Sequence, residues 1–186
     1  NQALVPIQDA SQKISTQAAI LFNPTPTILP DPVTIINQIR PLVRLETIQY
    51  SVEKIITAET GQEVFGPLFG DRLLFVAHGL VIAGVDLSEL SADDLKVNNG
   101  ILEIKLPEAE IFVATIDNEK SYVYDRDTGI FRRPDENLET LARQAAEEEI
   151  RQAAVGDGIL DQARLNAEVF LERFLDDLGF EEVIFF

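Results

Sequence analysis

His78 is the single histidine of the chain, and imidazole is the side chain best suited to move a proton or hold a metal near neutral pH. One histidine makes no metal site by itself. Its chain neighbours Ala77, Gly79 and Leu80 are apolar or glycine, so no Ser or Asp stands beside it to complete a nucleophilic triad. Partners from distant segments stay open. Taken alone, His78 reads as a hydrogen-bonded structural histidine. Asp125-Arg126-Asp127-Thr128-Gly129 has the alternating carboxylates of a calcium loop. A helix-loop-helix calcium site needs glycine at its sixth position and glutamate at its twelfth. Counting from Asp125, Glu136 is twelfth but Ile130 is sixth, and the flanks read as strand, so the segment reads as a turn.

The remaining carboxylates form no marked pair. Glu147, Glu148 and Glu149 are consecutive in a helical pattern, where neighbours point about 100° apart and cannot converge on one ligand. They read as a solvated face, supported by Arg143 to Glu147 and Glu147 to Arg151 pairs one turn apart. Asp93-Asp94 and Asp176-Asp177 read the same way. The glycines of 61–70 match neither phosphate-cradling pattern, so that stretch reads as a connector. These residues mark no catalytic, cofactor-binding or metal site.

Charge narrows the partners. A formal net charge of −17 repels phosphate backbones and anionic lipid, which argues against a nucleic-acid interface. Basic partner proteins, cationic ligands and simple solubility remain. The chain has no cysteine, which removes disulfides, thiolate catalysis and thiolate metal ligation together, without indicating a compartment. It starts at Asn1 rather than Met, so a fragment or processed form is expected, with any leader or anchor upstream.

The elements that must position these residues follow from periodicity. Residues 1–32 carry Pro24, Pro26, Pro30 and Pro32 with few charges and read as a flexible stalk, with at most a short helix at 11–22. A helix is predicted at 32–40, capped by Asp31, started by Pro32 and stopped by Pro41. In 45–58, Ile48, Tyr50, Val52 and Ile56 alternate with Thr47, Gln49, Ser51 and Glu53, a half-buried strand. The apolar run 70–87 reads as the core strand, or two short ones, buried on both faces, with bulges or close approaches at Gly79 and Gly84. It pairs antiparallel with 45–58.

Further on, Ser88 or Ser91 caps a helical turn. Asn98-Asn99-Gly100 marks a hairpin, and strands are expected near 102–106, 111–116 and 121–125, with turns at 117–120 and 127–129. Two helices follow. One carries Leu138, Leu141, Ala142, Ala145, Ala146, Ile150 and Ala153 on its apolar face, the other Ile159, Ala163, Ala167, Phe170, Phe174 and Leu178. Asp157 is available as a cap between them, and Gly179 stops the second. Residues 181–186 form a last strand that can add to the sheet, its Phe185-Phe186 end packed. Strands before helices imply an α+β domain over 33–186, with an antiparallel sheet, a short N-terminal helix and two C-terminal helices on the sheet.

Two stretches resemble known families. Asn99-Gly100-Ile101-Leu102-Glu103-Ile104-Lys105-Leu106-Pro107 resembles the NGVLxIxLP strand of small heat-shock proteins, which would imply a holdase. The long C-terminal helices do not belong to that sandwich. A broader pattern runs through RLET at 44–47, EKIITAE at 53–59, FGDRLLFVAHG at 69–79, AGVDL at 83–87, Leu106-Pro107 with Ile111, DNEKSYVYDRDTG at 117–129, AEEE at 146–149, and Gly179-Phe180. Together these resemble the DUF4230 family of bacterial proteins, in order over 33–186. The resemblance implies an N-terminal membrane-spanning segment ahead of the domain, residues 1–32 as its stalk, and an extracytoplasmic domain. It implies no catalytic residues and no cofactor.

The expected function is therefore a non-enzymatic binding or scaffold module of a membrane-anchored protein, with a protein partner or self-association. The alternatives are a small-ligand binder or hydrolase using carboxylates near His78, and a chaperone-like holdase. Whether His78, Asp125 or Asp127 has a role depends on what the fold brings to them.

Overall fold

The apolar run is one strand, and the rest of the domain is laid along it. The computed structural model describes residues 31–60, 70–98, 100–131, 133–180 and 182–186. Strand β2 (Asp71–Asp86) pairs antiparallel with β1 (Arg44–Thr60) from Arg44 opposite Asp86 to Thr60 opposite Asp71. Its other edge is shared by β5 (Ala109–Ile116), along 79–85, and β6 (Tyr122–Thr128), along 71–76. The stalk and short helix expected within 1–32 and the connector at 61–70 fall, but for their last residues, outside the described residues.

Alternation decides which face of this sheet is dry. Leu73, Phe75, Ala77, Val81 and Ala83 of β2 share one face with Ile48, Tyr50, Val52, Ile56 and Ala58 of β1. Helices α2 (Leu138–Gly156) and α3 (Ile159–Asp176) cover that face and touch the sheet far more than each other. No described helix lies over the other face, and β2 is not buried on both sides along its length: His78, Leu80 and Ile82 are only half-buried there, while Val76 is buried. This is the arrangement of an antiparallel sheet with one solvated side.

The buried helix stripes are narrower than the periodicity suggests. They run at strict four-residue spacing, Leu138, Ala142, Ala146, Ile150 and Ala154, then Ile159, Ala163, Ala167, Leu171 and Leu175. Leu141 and Phe170 are exposed, because a four-residue row drifts around the helix and follows a contact line oblique to its axis. The many alanines let the helices approach closely. A Cβ built on Gly79 would lie 2.5 Å from Ile150 Cδ1, so Gly79 is the seat of that isoleucine. Asp157 ends α2 rather than capping α3; Gly158, at φ 79°, takes that N-cap position.

Two bulges flank the end of β2, and both lie in its neighbours rather than in β2 itself. Thr47 is the extra residue of β1, beside the Ala83-Gly84 step, and Phe112 that of β5, beside the Ile82-Ala83 step. The first bulge turns Thr47 from its expected polar face to the helices. Its hydroxyl donates to Ala163 O at 2.8 Å, and Asn166 Nδ2 donates to Thr47 O at 3.0 Å. β1 is an edge strand, and Lys54, opposite Ala77, is turned toward the helix side in its middle. Such an inward charge discourages pairing with another sheet.

Helix α1 (Pro32–Ile39) forms where expected: Asp31 accepts from the Thr34 amide at 2.9 Å, and Ile35, Ile36 and Ile39 are buried. A second, smaller sheet holds the hairpin β3 (Leu95–Asn98) and β4 (Ile101–Ile104), with Gly100 at φ 87° in its two-residue turn. The last strand, β7 (Glu182–Phe185), joins this sheet, parallel to β4, instead of the large one. Parallel addition is open to it because Gly179, at φ 98°, ends α3 and redirects the chain. Phe180 is the buried aromatic at that turn, while Phe186 is exposed. The Ser91 cap is present: the Ser91 amide and hydroxyl both donate to the Asp94 carboxylate, which is thereby more than a solvated acid, and the Asp94 amide donates back to Ser91 O at 3.1 Å. The fold class is α+β.

Candidate functional site

β5 and β6 run the same way along one edge of β2, and the chain between them leaves that edge at residues 117–121. His78 stands at the gap. Its amide donates to Ser121 Oγ at 3.0 Å, and its carbonyl accepts from the Asp117 amide at 2.8 Å and from Ser121 Oγ at 3.3 Å. The hydroxyl thus replaces the missing strand partner, as a half-buried backbone requires. The turn expected at 117–120 is present. Asp117 accepts from the Glu119 amide at 3.0 Å and pairs with Lys120 Nζ at 2.8 Å. Lys120 holds the Asp117 carboxyl below its ordinary range and is itself raised by it.

On the uncovered face these groups wall a groove of about 560 Å³ between β1, β2 and the 117–121 turn. Glu53, directly across from His78, brings Oε2 to 3.4 Å from its Nδ1. Gln49, Ser51 and Thr115 complete the polar wall. A carboxylate on one imidazole nitrogen orients the ring and leaves the other for a ligand or a proton. The Ser121 hydroxyl is committed to backbone and is no nucleophile. The groove can therefore offer hydrogen bonds, the Glu53 carboxylate and the Asp117–Lys120 ion pair to a polar ligand. His78 is not a core residue; it stands on the solvated face, about one-third exposed at its side chain.

The second motif has a different fate. Asp125 through Thr128 lie in β6, so the expected turn at 127–129 is a strand, with Gly129 N donating to Gly70 O at 2.8 Å. Alternation splits the motif. Arg126 and Thr128 clamp the buried Asp71: Arg126 donates to it at 2.6 and 3.2 Å, Thr128 Oγ1 at 2.9 Å, and the Asp135 amide at 2.7 Å. Arg126 also reaches Asp135 O at 2.7 Å. The Arg126 bonds outweigh burial and lower the Asp71 pKa to about 2. Asp125 and Asp127 sit opposite Leu74 and Arg72 on the uncovered face.

Glu147, Glu148 and Glu149 are all exposed, as are Asp176 and Asp177. Arg143 turns back to Glu139 at 2.8 Å instead of forward to Glu147, because it also lies over the Phe75 ring and reaches Asn118. Among the described residues no three His, Asp or Glu side chains gather to hold a metal, and no helix is long and apolar enough to cross a membrane.

Sequence periodicity had assigned Gln49, Ser51 and Glu53 to a polar face but could not place them at His78. The signal was present in the hairpin register. A hairpin closing Thr60 on Asp71 sets Glu53 opposite His78.

No curated protein and no solved structure matches the chain. A family model described as "Protein of unknown function (DUF4230)" matches residues 37–185, which takes in both described sheets and the three described α-helices except the start of the first. The chain belongs to the DUF4230 family.

Proposed function

We propose that this chain is a binding or scaffold module rather than an enzyme. On this reading it seats its ligand on the uncovered face of the large sheet and stands outside the cytoplasm, with residues 1–32 as the stalk below a membrane anchor. The observation that carries the binding reading is the groove at His78, a concave polar site on a rigid sheet. The anchor and stalk rest on the family resemblance and on the proline density of 24–32.

Location is tested by fusing the full reading frame at its C-terminus to a phosphatase that folds only outside the cytoplasm. Phosphatase activity in the membrane fraction is expected; activity confined to a cytoplasmic reporter overturns the assignment. Binding is tested by titrating the isotope-labelled chain with a panel of small polar compounds. Shifts at Gln49, Ser51 and Thr115 are expected. His78→Gln should weaken them about tenfold without moving the unfolding midpoint, since an exposed pair adds little stability. A panel giving no saturable shift at the groove sinks the reading.

A second reading, hydrolysis with His78 as proton carrier, is favoured by one observation, the 3.4 Å approach of Glu53 to the ring. Nitrophenyl ester turnover that is lost in His78→Gln would favour it, and equal turnover in both proteins removes it.

A further inference from the structure

Beyond the groove, the uncovered face continues toward the far end of β2 as a ladder of cross-strand rows. Ile55, Val76 and Tyr122 form one row, Thr57, Leu74 and Asp125 the next, and Glu59, Arg72 and Asp127 the last. Two large side chains here are left in water: Ile55 is 68% exposed and Tyr122 51%. Exposed apolar rows on a rigid sheet are uncommon, and tyrosine is enriched where proteins meet. No described helix or strand covers this row.

Charge selects the occupant. Asp125 and Asp127 lie on the same strand as Tyr122, Glu53 and Glu59 bracket Ile55 on β1, and the only cation in the last row, Arg72, is held by Glu59 at 3.1 Å. The whole chain carries −17, so a second copy would bring like charge against like. We infer that this half of the face docks a cationic, extended segment of a partner protein. Its arginine or lysine side chains lie over the Tyr122 ring and pair with Asp125 and Asp127, while its apolar side chains cover Ile55. This rests on the reading of the uncovered face as the binding face, and it names the partner's chemistry for the part beyond the groove.

The test uses the whole chain, isotope-labelled, and a short synthetic peptide alternating arginine with valine, beside an analogue with citrulline for arginine. Saturable shifts are expected at Ile55, Tyr122, Asp125 and Asp127, with affinity falling several-fold between about 0.05 and 0.2 M salt. Tyr122→Ser and Asp127→Asn, both at exposed positions, should each weaken binding about three- to tenfold. Equal binding of the citrulline analogue overturns the inference. So do shifts that appear on raising the protein concentration alone, which would mean a second copy covers the row. Peptide shifts confined to Gln49, Ser51 and His78 also overturn it, while leaving the groove reading intact.

Discussion

Gly84→Ala is expected to destabilise the domain by about 3 kcal/mol or more, read as a lowered urea midpoint at unchanged slope. A Cβ at this position would lie 2.0 Å from the Leu45 carbonyl oxygen and 2.7 Å from Phe112 Cε2. The ring can turn, but the carbonyl cannot, because it belongs to the backbone of the adjoining strand. Relief requires moving the start of β1, which is held by Thr47 and Asn166 on either side of the helix contact at 2.8 and 3.0 Å. Gly79→Ala meets only the Ile150 side chain and should cost less. A Gly84→Ala protein within about 1 kcal/mol of the parent would show that the strand start yields freely.

Asp71→Asn is expected to cost about 3 kcal/mol, because it leaves Arg126 without its charge partner at a site where Asp71 itself is buried. The carboxylate also sets an acid limit. Its pKa falls from 3.8 to about 2 on folding, so the folded state binds the proton more weakly. The resulting stability, about 2 kcal/mol, is fully present above pH 3.8 and is lost as the pH falls through about 2. Urea midpoints measured from pH 5 to pH 2 should therefore fall more steeply for the parent than for the variant. Parallel curves would remove Asp71 as a determinant of acid stability.

Both residues show where local reading stops. Asp71 is, in the sequence, one acid at the start of an apolar run, and nothing near it signals burial. Its partners Arg126, Thr128 and Asp135 lie 55 to 64 residues away. Arg126 and Thr128 in turn sit inside a motif whose two aspartates draw attention to metal chemistry. The alternation of β6 settles the matter by sending arginine and threonine to one face and both aspartates to the other. The Asp127-Thr128-Gly129 turn fails for the same reason: pairing with 71–72 extends the strand over residues whose own preference is for turns. Thr47 follows a similar course, since one extra residue in β1 reverses its face.

The sequence by itself determined the α+β class, the long antiparallel pair, the capped first helix, the Asn-Gly hairpin and the family. Each of these rests on short-range chemistry: alternation, caps, proline and glycine, and order along the chain. The tertiary structure alone decided that β5 and β6 share one edge of β2 and part at His78, that Glu53 and the Asp117–Lys120 pair meet there, and that the last strand joins a second sheet. It also decided that no described helix lies over one face of the large sheet. Period-two alternation already marked the dry face of β1, but β2 is apolar at nearly every position, and only the placement of α2 and α3 determines which of its faces they cover.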